Sequence, residues 1–327
     1  MTAREAAHSA LRAFRSGRDY RAELGNLRDR REGALAMRIA LGVVRNLALC
    51  DYYIASASSI KLSRIEPQAL DILRAAVYQL AFLDKVPPSA AVNEAVKLAR
   101  GKLNPRAAGF INAVLRKLSA GLPEIERLPD SASALALRYS HPEWLVREFI
   151  AEIGAEQTEV LLKLNNSEPP VYARVNTLKT TPERLSDELS ALGIGASMSQ
   201  LRGTLELRSL RDMTALEPFK RGEFFIQDPS STMAAMSVGA FPGARVIDAC
   251  AAPGGKSFAM AIEMRDEGEV LAFDTERRVP RIAEGASRLG LSIISARAGD
   301  SSVKNASLVD SADCVLADVP CSGFGVI

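Results

Sequence analysis

The sequence predicts a multidomain protein in which an all-α bundle is followed by a small α+β module and then by an α/β region with a parallel sheet. Three observations support this prediction. Apolar residues recur at helical spacing through the first 120 residues. A strand–helix–strand–strand pattern occupies about 130 to 235, and strand–turn–helix repeats follow beyond 240.

The helical prediction for the first region is based on three segments, 33–56, 66–83 and 90–100, whose apolar residues share one helix face. Pro87 and Pro88 interrupt the chain before the third segment, where Ser89 is a candidate N-cap. A further helix is expected after Asn104-Pro105. Because the connecting loops are short, neighbouring helices should pack against one another.

The middle region begins with a Pro- and Glu-containing linker at 121–130 and a helix that starts around Pro142. Strands are expected at 171–175, 205–210 (LELRSL) and 223–227 (EFFIQ), with a helix after Thr181. Modules of this pattern present a sheet to RNA in RNA enzymes. Arg174 and Asn176 are polar residues on an otherwise apolar strand, so they either face solvent or contact the substrate.

The last region alternates strands and helices, which indicates a parallel sheet with crossover helices. Its strands are predicted in ARVIDAC, VLAFD, SIISARAGD and CVLADV. Ligands of such sheets bind at the carboxyl ends of the strands. The expected site therefore includes Asp274 after the second strand, Asp300 after the third and Asp318 in the fourth.

Composition restricts the function classes. An apolar fraction of 47% and a charged fraction of 24% are typical of a globular protein. We find no apolar run long enough to span a bilayer. Four dispersed cysteines without CxxC spacing argue against a zinc site and against disulfides, which fits a reducing cytoplasm. Because the sequence contains only two histidines, a mechanism based on a Ser-His-Asp triad is not favoured.

Charge is distributed unevenly along the chain. Residues 1–124 contain 20 Lys and Arg against 11 Asp and Glu, whereas the remainder contains 21 against 28. A basic first region suggests that it binds a polyanion. The alternative is a solvated helical surface with excess arginine, and charge alone does not separate the two.

The string CAAPGGKS follows the first strand of the α/β region and forms a glycine-rich turn before a helix. A P-loop would need glycine where Cys250 stands, and a dinucleotide fingerprint needs GxGxxG, which this string does not contain. S-adenosylmethionine remains as a third candidate. Asp274, about twenty residues beyond the turn, suits its ribose hydroxyls, and a carboxylate suits its positive charges.

Cys321 lies in ADVPCSG, beside Pro320 and close to Asp318. A thiolate can activate carbon 5 of cytosine by adding to carbon 6, and this is covalent catalysis by a cysteine. An amine-methylating enzyme has no need of a thiol at this position. The alternative is that Cys321 is a small buried hydrophobe, which its setting at a strand end argues against.

Two family resemblances follow from these strings. Residues 86–100 (VPPSAAVNEAVKLAR) and 110–118 (FINAVLRKL) resemble the antitermination factor NusB, whose domains bind RNA and partner proteins. Residues 125–327 resemble the RNA cytosine-C(5) methyltransferases of the Sun/RsmB/Nol1/Nop family, through NNSEPPVYARVN, FFIQDPSS, DACAAPGGK, AFD, GD and ADVPCSG. The resemblance implies a NusB-like bundle over 1–124, an RRM-like α+β module with its linker over 125–238, and a Rossmann-like class I methyltransferase domain from 239.

The resemblance to the methyltransferases implies S-adenosyl-L-methionine as cofactor and 16S ribosomal RNA as partner. From the cysteines and the apolar runs we expect a cytoplasmic protein without metal or membrane, and we expect a monomer. It implies that Cys321 assists release of the methylated base, while the attacking cysteine lies some fifty residues further on. Arg174, Asn176 and Pro320 are the expected substrate contacts. The expected cofactor contacts are Ala249, Cys250, Ala251, Ala252, Pro253, Gly254, Gly255, Lys256, Asp274, Asp300 and Asp318.

The second cysteine of the family is not found before Ile327, so we expect the sequence to be a fragment of a longer product, with an incomplete methyltransferase sheet and CVLADV as an apolar edge. Two alternatives stay open. Cys321 attacks carbon 6 itself, or the chain is an RNA-binding fragment without catalytic activity.

Overall fold

The computed structural model describes residues 1–24, 29–125, 131–167, 169–208 and 213–321. The chain divides into two compact units, Met1–Ser167 and Glu168–Ile327. Each unit is described by itself below.

The first 120 residues form a helical bundle, as expected. Its helices are α1 Ala3–Arg15, α2 Arg21–Leu24, α3 Arg30–Arg45, α4 Leu47–Ala57, α5 Pro67–Phe82, α6 Pro88–Lys102 and α7 Pro105–Ser119. At the start of α1, the Thr2 side chain accepts a hydrogen bond from Glu5 N–H, and the Glu5 side chain accepts one from Thr2 N–H. The Asn104 side chain caps α7. Helix α6 begins at Pro88 with Pro87 in the cap position, so the prediction that Ser89 caps it is wrong.

The helices of the bundle pack around one continuous apolar core, whose residues range from Ala3 to Ile125 in the sequence. Aliphatic side chains from four helices form its fully buried centre: Ile39, Ile54, Ile72, Leu73, Ile111 and Leu115. Asp71 is buried beside this core and pairs with Arg15 at 3.2 Å and with Arg74 at 3.8 Å. The buried carboxylate is therefore compensated, as its burial requires.

Two further helices complete the first unit: α8 Ala132–Arg138 and α9 Glu143–Asn166. They share a small core of Leu135, Ala136, Val146 and Leu162. Helix α9 is broken at Gly154, whose φ of 79° lies outside the helical region. Residues 126–130 of the predicted linker lie outside the described residues.

The second unit begins with a four-stranded antiparallel sheet of order β2-β3-β1-β4. Its elements are β1 Val171–Val175, α10 Pro182–Ala191, β2 Gly195–Met198, β3 Thr204–Arg208, α11 Glu217–Lys220 and β4 Phe224–Ile226. Strand β2 was not predicted, because GASM lacks the apolar alternation of a half-buried strand. Ser209 and Leu210 of the predicted strand LELRSL lie outside the described residues.

The rest of the unit is a parallel sheet of order β7-β6-β5-β8 with helices. Its elements are α12 Pro229–Ser237, β5 Arg245–Asp248, α13 Gly255–Glu263, β6 Glu269–Asp274, α14 Val279–Leu289, β7 Ile294–Ala298 and β8 Cys314–Leu316. Strand β8 is an edge of the described sheet and its Val315 is 61% exposed. It ends two residues before Asp318, so that carboxylate follows the strand and does not lie in it.

Among the described residues no single helix is long and apolar enough to cross a membrane, although the bent pair Arg31–Arg45 and Leu47–Ala57 would be, by length and composition, when taken together. In the same part of the chain, no group of three or more His, Cys, Asp or Glu side chains is arranged to hold a metal ion.

Candidate functional site

The glycine-rich turn lies at the carboxyl end of β5 and is held by backbone hydrogen bonds. Ala251 N–H donates to Phe273 O of β6 at 2.8 Å, and Gly254 N–H donates to Ala251 O at 2.7 Å. The Ala252–Pro253 peptide bond is cis. Gly254 is the N-cap of α13, so the helix begins immediately after the turn. The first N–H groups of a helix have no partner within the helix, and here they lie next to the turn.

Gly254 has a φ of +112°, a conformation that side chains rarely adopt. A Cβ at this position would lie 2.2 Å from the Phe258 ring. That ring packs edge-to-face on Phe225 at 5.7 Å between centroids. Glycine is therefore required here both by the backbone and by the aromatic ring beneath the turn.

Asp274 ends β6 and is tied to the turn. Its Oδ2 accepts a hydrogen bond from Ala252 N–H at 2.9 Å, and its Oδ1 accepts one from Thr275 N–H at 2.7 Å. Burial by itself raises the pKa of Asp274, but these hydrogen bonds more than offset it and hold the pKa below its usual value. The site thus holds a fixed carboxylate at the strand end where the sequence predicted one.

Asp300 lies beyond β7 and lines a cleft of about 700 Å³ together with Ala249, Phe273 and Lys304. Its Oδ1 accepts hydrogen bonds from the Ser302 hydroxyl at 2.6 Å and from Ser302 N–H at 3.0 Å. These bonds lower the pKa of Asp300. The cleft lies at the carboxyl ends of β5, β6 and β7, where a parallel sheet binds its ligands.

Lys256 and Asp318, which are 62 residues apart, meet at the neighbouring ends of α13 and β8. Lys256 Nζ donates to Asp318 Oδ2 at 2.6 Å. They line a second pocket, of about 240 Å³, with Asp248, Cys250, Gln227 and Asp228. The turn and the ADVPC string therefore share one site.

Asp248, the last residue of β5, is 1% exposed and accepts a hydrogen bond from the Ser257 hydroxyl at 2.6 Å. Burial raises the pKa of Asp248 despite this bond. Burial also raises the pKa of the half-buried Cys250 thiol, and the Asp274 and Asp248 carboxylates raise it further. Both effects disfavour the thiolate form of Cys250.

Cys321 is an exposed free cysteine three residues beyond Asp318, and Pro320 beside it is also exposed. The prediction that it is no buried hydrophobe is confirmed. The following Ser322 and Gly323 lie outside the described residues. The structure thus brings the turn, Asp274, Asp300 and Asp318 together, with Cys321 on the adjoining segment.

Arg174 and Asn176 do not face solvent, so that alternative is wrong for both. Arg174 is 2% exposed and donates to Glu263 Oε1 of α13 at 2.5 Å. Asn176 is 0% exposed, and its Nδ2 donates to Gly222 O at 3.0 Å and to Leu289 O at 2.9 Å. Each joins the antiparallel sheet to a helix of the parallel-sheet region.

Five residues that line the smaller pocket were missing from the predicted site: Ile226, Gln227, Asp228, Ser231 and Asp248. Gln227 and Asp228 follow β4, and Asp228 caps α12 through a 2.8 Å bond from Ser230 N–H. The string QDPSS contains the signal that could have found them, since Asp-Pro before a helix is a cap sequence placed at a strand end. Their proximity to the turn depends on the sheet packing.

The helical bundle, the four-stranded α+β module and the parallel sheet with its glycine turn follow the domain order of the RsmB/F-type RNA methyltransferases. The comparisons agree domain by domain. The NusB family matches residues 1–120, the ferredoxin-like domain of the RsmF/B-like methyltransferases matches 141–213, and the 16S rRNA methyltransferase RsmB/F family matches 236–327.

Curated relatives identify the family. The chain is 34% identical over 304 residues to the probable ribosomal RNA small subunit methyltransferase B of Bacillus subtilis, covering 92% of this chain and 68% of that one. It is 32% identical to the ribosomal RNA small subunit methyltransferase B of Pseudomonas putida, covering 100% and 76%. The chain belongs to the ribosomal RNA small subunit methyltransferase B family.

Solved structures share the fold. The crystal structure of PH0851 superposes with a TM-score of 0.77 at 23% identity, covering 99% of this chain and 75% of that one. A methyltransferase homolog protein from Pyrococcus horikoshii superposes with a TM-score of 0.52 at 27% identity, covering 61% and 66%. The NusB-like bundle, the ferredoxin-like module and the α/β methyltransferase region are thereby confirmed.

Proposed function

We propose that this chain takes part in the S-adenosylmethionine-dependent methylation of carbon 5 of a cytosine in 16S ribosomal RNA. The observation that carries the proposal is the 2.6 Å contact between Lys256 and Asp318. It joins the turn that begins α13 to the segment that carries Cys321. The family is an rRNA methyltransferase family, and a thiol beside this contact suits chemistry at a pyrimidine carbon.

The cofactor is assigned to the larger cleft, which Ala249 and Asp300 line. Asp274 ends the strand between β5 and β7 and suits the ribose hydroxyls, Asp300 suits the adenine side, and Ala249 begins the turn that would receive the amino-acid end. The exposed Asp300 carboxylate supports this fit, because it lines the cleft and can accept hydrogen bonds from a bound cofactor. When bound, the cofactor supplies an electrophilic methyl group on a sulfonium.

The remaining chemistry is assigned to the protein. A target base within the RNA must be turned out of its stack to enter the smaller pocket. A cysteine thiolate adds to carbon 6 of the base, which makes carbon 5 nucleophilic. After methylation a base removes the carbon 5 proton, and elimination restores the thiolate. Lys256 and Asp318 hold the pyrimidine, and Cys321 assists the elimination.

The experiment is a calorimetric titration with S-adenosylhomocysteine, because binding does not require turnover. Asp274→Asn removes the charge at the ribose position and should weaken binding about 10-fold or more, the loss of a charge-assisted hydrogen bond. Asp187→Asn is the matched control, since Asp187 is exposed on α10. Equal binding by both variants would contradict the cofactor site.

The role of Cys321 is tested separately with RNA that carries 5-fluorocytosine, which blocks elimination and traps a covalent adduct. An adduct formed by this chain and lost in Cys321→Ala would assign the attack on carbon 6 to Cys321. RNA binding without cofactor binding would instead support the RNA-binding alternative. The domain bounds 1–124, 125–238 and 239–327, and a monomeric state, belong to the same proposal.

A further inference from the structure

The smaller pocket has one wall that belongs to the ferredoxin-like module. Gln227 and Asp228 leave β4 and meet the turn residues Cys250 and Lys256 across about 240 Å³ of space. This volume lies below the roughly 300 Å³ of the smallest drug-sized sites, so it suits a single heteroaromatic ring. The module therefore lines the pocket directly, in addition to presenting a sheet.

Gln227 is held rigidly in this wall. It is 6% exposed, its backbone N–H donates to Tyr172 O at 3.1 Å, and its Oε1 accepts a hydrogen bond from the Thr232 hydroxyl at 3.0 Å. The Thr232 hydroxyl also lies 3.2 Å from Asp228 O and has one proton to donate. In the arrangement of this structure Gln227 Oε1 faces Thr232, so Nε2 lies on the other side of the amide.

The other end of the amide has no such bond. Gln227 Nε2 is buried without a hydrogen-bond partner among the described residues. A Cβ added at Gly255 would lie only 3.3 Å from it, so glycine at this position lets the amide nitrogen pack closely against the turn. Leaving a buried donor unpaired is unfavourable, and a ligand acceptor at this point would remove that penalty.

Charge decides which acceptor fits. The pocket is lined by the carboxylates of Asp228, Asp248 and Asp318 against the single ammonium of Lys256. An anionic acceptor, such as the carboxylate of an amino-acid cofactor, would meet repulsion there. A neutral ring nitrogen or carbonyl would not, and a pyrimidine base presents both.

We propose that Gln227 is a specificity-determining residue whose Nε2 donates to N3 of the target cytosine. This inference rests on the proposed function. N3 of cytosine is an acceptor, whereas N3 of uracil carries a proton and is a donor. A fixed amide donor therefore accepts cytosine and rejects uracil, which would leave two donors facing each other in a buried site.

The test compares cytidine 5′-monophosphate with uridine 5′-monophosphate by ligand-observed NMR titration, since the two differ only in the base. The unaltered chain should bind the cytidine nucleotide about tenfold more tightly. Gln227→Glu replaces the donor by an acceptor of the same shape and should reverse the preference toward uridine. Gln200→Glu, an exposed glutamine of the same module, adds the same charge and should leave the ratio unchanged.

A second arm measures S-adenosylhomocysteine binding to Gln227→Leu, which should stay within about twofold of the unaltered chain. A loss of tenfold or more would show that Gln227 faces the cofactor and would overturn the proposal. So would an unchanged nucleotide ratio in Gln227→Glu, a uridine preference in the unaltered chain, or no binding of either nucleotide at millimolar concentration. Failure of the unaltered chain to bind S-adenosylhomocysteine would defeat the proposed function instead.

Discussion

At the scale of single residues, Gly254 in the glycine-rich turn is a position where the structure requires glycine. Gly254→Ala should destabilise the second unit for two reasons, the φ of +112° and the 2.2 Å approach to Phe258. Backbone strain of this kind costs about 1–3 kcal/mol and overpacking a further ~1–3 kcal/mol. Urea unfolding followed by circular dichroism measures the sum.

Gly243→Ala is the matched control for Gly254→Ala. Gly243 also has a positive φ, of +86°, but a Cβ there would meet nothing within 4 Å. It should show the backbone cost without the packing cost. If both variants unfold at the same urea concentration, the Phe258 contact contributes nothing to the requirement for glycine.

The same scale shows what sequence spacing could predict about the site. Asp274 and Asp300 were found because parallel strands end at one edge of a sheet, so strand ends in the sequence become neighbours in space. Gln227 lies in the string FFIQDPSS, but the spacing of that string does not predict it as a site residue. Its Nε2 lacks a hydrogen-bond partner in the described part of the chain because the amide packs between Thr232 and Gly255. The order of residues in the sequence does not predict this packing.

At the scale of elements, the antiparallel sheet and the parallel-sheet region are joined by polar side chains inside the second unit. Asn176, just after β1, bonds the carbonyls of Gly222 and of Leu289, the last residue of α14. Lys179 Nζ adds bonds to Arg221 O at 2.7 Å and to Arg288 O at 3.2 Å. Arg174 reaches the last residue of α13. The module is thereby fixed against the helices that follow the first two strands of the sheet.

Asn176→Leu should therefore destabilise the chain by about 2–4 kcal/mol, because two buried carbonyls lose their donor. Urea unfolding of the intact chain measures it. Asn93→Leu is the control, since Asn93 is exposed on α6 and should change stability little. Unchanged stability in Asn176→Leu, together with weaker RNA binding, would contradict this structural role and support a substrate contact.

Helix α10 and strand β2 show which elements a sequence pattern predicts and which it does not. The predicted helices with clear apolar periodicity and a cap, such as α10 after Thr181, were confirmed. Strand β2 was missed because its sequence, GASM, is mostly exposed and gains its hydrogen bonds only by pairing with β3. Pairing of this kind is a property of the sheet and leaves little trace in the strand itself.

At the scale of the whole molecule, the basic first region of the sequence coincides with the helical bundle, which has an apolar core of its own. The bundle core runs from Ala3 to Ile125 and is separate from the cores of the second unit. A fragment of residues 1–125 should thus fold cooperatively, with helical circular dichroism. Because this region is basic, the fragment should bind single-stranded RNA with an affinity that falls at least tenfold between 50 and 200 mM salt.

Residues 169–327, which contain 17 Lys and Arg against 20 Asp and Glu, provide the comparison and should bind the same RNA more weakly at low salt. Fluorescence anisotropy with a labelled oligonucleotide measures both fragments. Binding by the bundle that does not change with salt would show that its arginines form a solvated surface, which was the alternative from composition.

The sequence by itself determined the order of domains, the helical bundle, the alternation of strands and helices beyond 240, and the placing of carboxylates at strand ends. These follow from local periodicity, caps and turns, which act over a few residues. The tertiary structure decided that Lys256 meets Asp318, that Arg174 and Asn176 are buried within the protein, and that Gln227 lines a pocket with the glycine turn. Contacts between residues tens of positions apart arise only when two sheets pack, because burial and unpaired donors are properties of the packed chain.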